Sequence, residues 1–184
     1  MRPGVRLGVD VGKARIGVAR CDPHGLLATP LETVARDRGS AGAGIDAAGS
    51  DIRRILELAR EHEAFEAVVG LPLGLSGHRT PSTDDAERFA ERLAAALSGD
   101  GIAVRLVDER LSTVSAQGQL RQAGRKTKQS RGVIDQAAAV VILQHALDTE
   151  RSRGEAPGIL VDPTNLVESH ADRTDGTPDG GEPA

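Results

Sequence analysis

Three acidic positions, far apart in the chain, carry the chemistry that this sequence could perform. Asp10 interrupts the apolar alternation Val5, Leu7, Val9, Val11, a setting in which Asp is disfavoured. Gly8 and Gly12 lie on its own face of the strand and leave room for a ligand or another backbone. Asp108 and Glu109 follow the apolar run IAVRLV, and the carboxyl end of a strand is where open α/β sheets bind ligands. Alternation points these two carboxylates in opposite directions and leaves open which one faces a site. Asp135 stands in the first turn of a helical pattern with Ala138, Ala139 and Ile142 at i+3, i+4 and i+7, so its carboxylate borders a buried face. Each has an ordinary explanation on its own: a turn aspartate, a solvated strand end paired with Arg110, and an acid favoured by the helix dipole. Together they suggest a shared role. Desolvated carboxylates are costly unless paired or bound to a cation, and hard divalent ions take carboxylates plus substrate phosphate. Two such ions about 3.5–4 Å apart clamp the attacking and leaving oxygens of an in-line phosphoryl displacement.

The stretch RQAGRKTKQSRG, residues 121–132, carries Arg121, Arg125, Lys126, Lys128 and Arg131 with no acid and leads directly to Asp135. Basic side chains beside a carboxylate cluster suit a phosphodiester, because they offset its charge and hold its backbone. A second glycine-rich stretch, VGLPLGLSG at 69–77, lacks both the Lys-Ser/Thr ending of a phosphate-binding loop and the GxGxxG spacing. It reads as a substrate-facing loop with Arg79 and Ser82 nearby.

The elements that must position these groups follow from periodicity. Strands are expected at Val5–Val11, Ile16–Cys21 and Leu26–Val34, joined by links short enough for an antiparallel meander. A helix follows at Asp51–His62, with Ile52, Ile55, Leu56 and Ala59 on one face. Then come a strand ending at Leu71, a helix at Ser82–Leu97 capped by Ser82 or Thr83, and a strand at Ile102–Val107. Helical patterns at Thr113–Ala123 and Val133–Leu147 close the series. The expectation is an α/β fold with a five-stranded mixed sheet, three strands in a meander plus parallel strands, flanked by helices.

Of the 184 residues, 39% are hydrophobic and 27% charged, a globular composition for one domain. The expected domain covers residues 1–150. Residues 151–184 hold three arginines against seven acids and account for the chain's net charge of −4; they read as an acidic, largely disordered tail. A Gly/Ala-rich loop is expected at 36–50. A single cysteine, Cys21, excludes an internal disulfide, and no stretch approaches the roughly 18 apolar residues of a membrane span. A cytoplasmic protein that does not contact membranes is expected. No Trp, no Tyr and two Phe argue against stacking of successive bases on aromatic platforms. None of the five histidines has zinc-type spacing with cysteine.

Four blocks, LGVDVGKARIGVA (7–19), VVGLPLGLSG (68–77), VDERLSTVSA (107–116) and GVIDQAAAVVILQ (132–144), occur in an order and spacing that resembles the YqgF (RuvX) family. Its members are RNase H-like proteins described as pre-16S rRNA nucleases and as Holliday-junction-resolvase-like. The resemblance covers about residues 4–150. It implies an RNase H-like fold and a Mg²⁺- or Mn²⁺-dependent nuclease that acts at the 5′ end of small-subunit rRNA, with precursor rRNA or branched DNA as partner and a monomer or homodimer as the assembly. By the family's motifs, Asp10, Glu109 and Asp135 form the metal-binding catalytic triad, with Asp108 as the fallback for Glu109. Two other readings compete. An actin-like ATPase or sugar kinase needs two such domains where this chain supplies one, and a non-catalytic ribosome-assembly factor would keep the basic stretch without turnover.

Overall fold

The computed structural model describes residues 1–37, 49–111 and 130–164. Its first three strands, β1 (Val5–Val11), β2 (Arg15–Cys21) and β3 (Ala28–Ala35), form the expected antiparallel meander. Helix α1 (Ser50–Glu61) leads to strand β4 (Ala64–Leu71), and helix α2 (Pro81–Leu97) leads to strand β5 (Ala103–Asp108). The long helix α3 (Ser130–Arg153) and a two-residue strand, β6 (Ile159–Leu160), complete the described fold. Strand order is β3-β2-β1-β4-β5-β6, with β1, β4 and β5 parallel and the rest antiparallel. The expected mixed α/β sheet is present, with six strands rather than five. Ile159 and Leu160 pair with Leu106 and Arg105, and two residues are too few to show any period.

The two faces of the sheet are covered differently. Leu7 and Val9 of β1, Ile16 and Val18 of β2, and Val69 of β4 point to α1 and α2, where Ile52, Ile55, Phe89 and Leu93 bury against them. Fully burying a side chain of this size stabilises by about 1.5–3 kcal/mol, so this larger cluster carries most of the core. Thr80, not Ser82 or Thr83, caps α2; its side chain accepts from the Thr83 backbone while Thr83 answers with its hydroxyl. The signal was masked because Thr stands where a capping box usually has Glu or Gln.

Helix α3 covers the other face and runs antiparallel to β1, held at three levels. Near its C-terminal end Glu150 accepts from Arg2 and Arg6, and both guanidinium groups also reach Glu66 of β4. Arg6, Glu66 and Glu150 are almost wholly buried. Against the upward pull of burial, the bonds from Arg2 and the charge of Arg6 bring Glu150 down to about 2. Midway, Leu143 and Ala139 lie so close to Gly8 that a Cβ there would stand 2.6 Å from Leu143 Cβ and 2.7 Å from the Ala139 carbonyl. At the N-terminal end the backbone of Asp135 packs directly on Gly17.

Helix α3 extends through Arg153 and the chain then returns to form β6, so residues 151–164 of the expected tail belong to the folded body. Residues 165–184, the helical pattern 113–123 and most of the loop 36–50 lie outside the described residues. Among the described residues no helix is long and apolar enough to cross a membrane.

Candidate active site

Asp10 reaches the α3 side of the sheet because it alternates with Leu7 and Val9, which face α1 and α2. Its partner across the antiparallel ladder is Gly17, and residues directly opposite share a face. The missing side chain at Gly17 admits the Asp135 backbone, which brings Asp135 to Asp10 from 125 positions along the sequence. The helix begins at Ser130, so Asp135 stands in the second turn rather than the first. A dipole effect fades beyond the first turn and does not account for this acid.

Glu109 opens a short 3-10 turn after β5. Its carboxylate lies against Gly70 of β4, in space that a Cβ at that position would claim, with Ile142 of α3 on the same spot. Val107, two residues earlier, packs among the α3 residues, so Glu109 continues the α3-facing phase of β5. Asp108 is engaged by Arg110 instead. It accepts from Arg110 Nε at 3.0 Å, from Nη2 at 2.6 Å and from the Arg110 backbone at 2.9 Å, and these bonds hold its carboxyl below the usual range. Glu109 thus feels the charge of Asp10, while both oxygens of Asp108 are engaged by Arg110.

The electrostatics record the gathering. Burial, then the charge of Asp135, pushes Asp10 up to about 6. Burial, then the charges of Asp10 and Asp108, pushes Glu109 up to about 7. Asp10 is the member common to both interactions. Arg15, at the start of β2, stands 3.3 Å from Asp135 Oδ2, close enough for an ion pair but out of line for a hydrogen bond. That buried oxygen has no hydrogen-bond partner among the described residues.

These donors fit a hard divalent cation. All are carboxylate oxygens, burial and then neighbouring negative charge raise two of the groups above the usual carboxylate range, and one oxygen is unsatisfied. Among the described residues no three acidic, His or Cys side chains converge closely enough to grip one ion together. Pairs suffice for Mg²⁺, which retains several waters and binds through one or two carboxylates.

Arg121, Arg125, Lys126, Lys128 and the Arg131 side chain lie outside the described residues. Sequence reasoning missed Arg15, Gly17 and Gly70. The available signal was glycine inside strand patterns, which marks close approach of another chain segment. Arg79 turns to Glu87 and Asp84 of α2, and Ser82 is exposed in the first turn of that helix.

The family model described as "RuvX: Holliday junction resolvase" matches residues 4–149. A Clavibacter sepedonicus protein named "Putative pre-16S rRNA nuclease" is 64% identical, over 91% of this chain and 97% of its own length. A Streptomyces coelicolor protein of the same name is 51% identical, over 86% of this chain and 88% of its own. Among solved structures, T. thermophilus RuvC in complex with a Holliday junction substrate superposes with a TM-score of 0.57 at 16% identity, covering 84% of this chain and 98% of that one. That likeness is one of fold, the RNase H-like α/β arrangement.

Proposed function

The chain belongs to the RuvX family, and from that premise we propose that it is a divalent-cation-dependent nuclease that hydrolyses phosphodiester bonds in the 5′-end maturation of precursor 16S rRNA. The observation that carries the reading is the convergence of three acids: the Asp135 backbone packs on Gly17, the ladder partner of Asp10, and the Glu109 carboxylate lies against Gly70 of the neighbouring strand β4. Asp10 with Asp135, and Asp10 with Glu109, are the pairs that would hold Mg²⁺ or Mn²⁺. A bound cation would neutralise the charge that develops on the phosphoryl oxygens.

The protein's own groups supply the rest. Arg15 is close enough to the carboxylates to hold a non-bridging phosphate oxygen, and Arg121, Arg125, Lys126, Lys128 and Arg131 would grip the flanking backbone. Water attacks phosphorus in line, the new P–O bond forms as the P–O3′ bond breaks, and the departing O3′ takes up a proton. The products carry a 5′-phosphate and a 3′-hydroxyl.

The family description and the junction-bound RuvC support a second reading, resolution of branched DNA. Incubation with precursor rRNA and a four-way junction side by side, in Mg²⁺ or Mn²⁺, tests both, with Asp135→Asn as the control. Cleavage of the precursor to 5′-phosphate ends, lost in the variant, is the expected result. Faster cleavage of the junction would favour the second reading. Equal cleavage by the variant would overturn the site, and binding of precursor without cleavage would make the protein a ribosome-assembly factor.

A further inference from the structure

Next to Glu109 in the chain, the end of β5, the C-terminal half of α3 and the chain returning to β6 line an open pocket of about 270 Å³. Leu71, Leu106, Val107 and Pro157 contribute its apolar lining, and Asp108, His145, Thr149 and Arg153 its polar lining. Two of these residues adjoin the candidate active site in the chain: Leu71 follows Gly70, and Asp108 precedes Glu109. Ile142 meets Glu109 at Gly70, and His145 lies three residues further along the same helix. His145 is therefore about one helical turn, or ~5 Å, from the point where Ile142 meets Glu109, the nearest of the three acids along the helix.

The far wall comes from the segment that composition assigns to the tail. At Gly158 the backbone has a φ of +66°, and a Cβ would run into the Leu106 carbonyl, so the wall's close approach depends on glycine at this position. Three of the polar side chains have partners. Thr149 Oγ1 and His145 Nε2 are 3.4 Å apart, and Asp108 is held by Arg110. An apolar slot with a few convergent polar groups is the usual form of a small-ligand site.

The neighbouring chemistry narrows the ligand. Sequence-specific RNA readers take unstacked bases from single strands, lay them against an aromatic ring and bond their edges. Both phenylalanines are committed elsewhere: Phe89 is buried in the core, and Phe65 lies under the guanidinium groups of Arg2 and Arg6. His145 is the aromatic ring in the pocket's lining, next to Asp108. Asp108 and Thr149 can bond a base edge, and Arg153 at the mouth suits the adjoining phosphate. We propose that this pocket receives one unpaired base of the substrate strand, next to the scissile phosphate, and so selects the nucleotide that flanks the cut. The inference rests on the nuclease reading for the position of that phosphate.

A scan with 2-aminopurine tests it. Single-stranded RNAs spanning the precursor 5′ end, each with the fluorescent base at one position, are titrated with Asp10→Asn protein, and wild-type cleavage of the same strands is measured alongside. One position should respond far more than its neighbours. Thr149→Phe, which fills the pocket, should abolish that response and weaken binding about tenfold, the usual scale of one base contact. Should Thr149→Phe fail to fold, His145→Ala should remove the same signal. Cleavage with no position-specific response, or a response that survives both substitutions, overturns the pocket and leaves the nuclease reading intact. A specific response that the substitutions remove, with no cleavage by the wild type, supports the pocket and overturns the nuclease reading.

Discussion

With divalent cations chelated, Asp10→Asn should melt at a higher temperature than the wild type at pH 8 and should cleave nothing when Mg²⁺ is restored. Burial and Asp135 move Asp10 from 3.8 to about 6. Each tenfold change in proton affinity corresponds to about 1.36 kcal/mol, so keeping this carboxylate ionised in the cation-free fold costs at most about 3 kcal/mol. Partial solvent access and the coupled neighbours reduce that to about 1–2 kcal/mol. The sign follows from proton binding. Between pH 4 and pH 6 the folded protein holds this proton more tightly than the unfolded chain, so the wild type loses stability as pH rises through that window. The Asn variant lacks the charge and the slope. At about 2–4 °C per kcal/mol for a domain of this size, its melting temperature should be higher by about 2–8 °C at pH 8, with the gap closing towards pH 4. Saturating Mg²⁺ at 100 times its dissociation constant should stabilise the wild type by about 2.7 kcal/mol and the variant by much less. Calorimetric melts at several pH values, with chelator and with Mg²⁺, measure all of this. An Asp10→Asn protein no more stable than the wild type at pH 8 would refute the claim that the carboxylates crowd one another.

Gly17→Ala should push the Asp135 backbone off β2, lowering stability by about 1–3 kcal/mol and cleavage by at least tenfold, as read from urea titration and initial rates. Glu66→Gln weakens the ionic anchor that Arg2, Arg6 and Arg105 share. Breaking a buried pair costs about 3–5 kcal/mol, so its urea midpoint should fall sharply. Arg15→Ala should weaken RNA binding and lower the slope of log affinity against log salt by about one, the signature of a single lost phosphate contact.

Much of this architecture is legible from periodicity alone. The alternation of Val5, Leu7 and Val9 yields β1, and the apolar stripes of Ile52–Ala59 and Ala86–Leu97 yield α1 and α2 with their buried faces correct. What escaped was set by partners distant in the chain. Alternation shows that Asp108 and Glu109 point apart; which one faces Asp10 is decided by α3 packing on the Val107 side of β5. Arg6 and Glu66 look like solvated strand residues until Glu150, 144 positions beyond Arg6, is folded against them. Gly17 resembles a weak point in a strand, and its purpose appears only when α3 lands on it. Strand β6 is invisible because Ile159 and Leu160 are exposed and belong to the sheet only through hydrogen bonds with β5.

Titration with Mn²⁺, followed by the electron paramagnetic resonance of the free ion, tests the triad most directly. Wild type and Asp108→Asn should take up Mn²⁺ alike, Glu109→Gln and Asp135→Asn should each bind more weakly, and Asp10→Asn should lose nearly all binding because it belongs to both pairs. Undiminished Mn²⁺ uptake by Asp10→Asn would contradict the account.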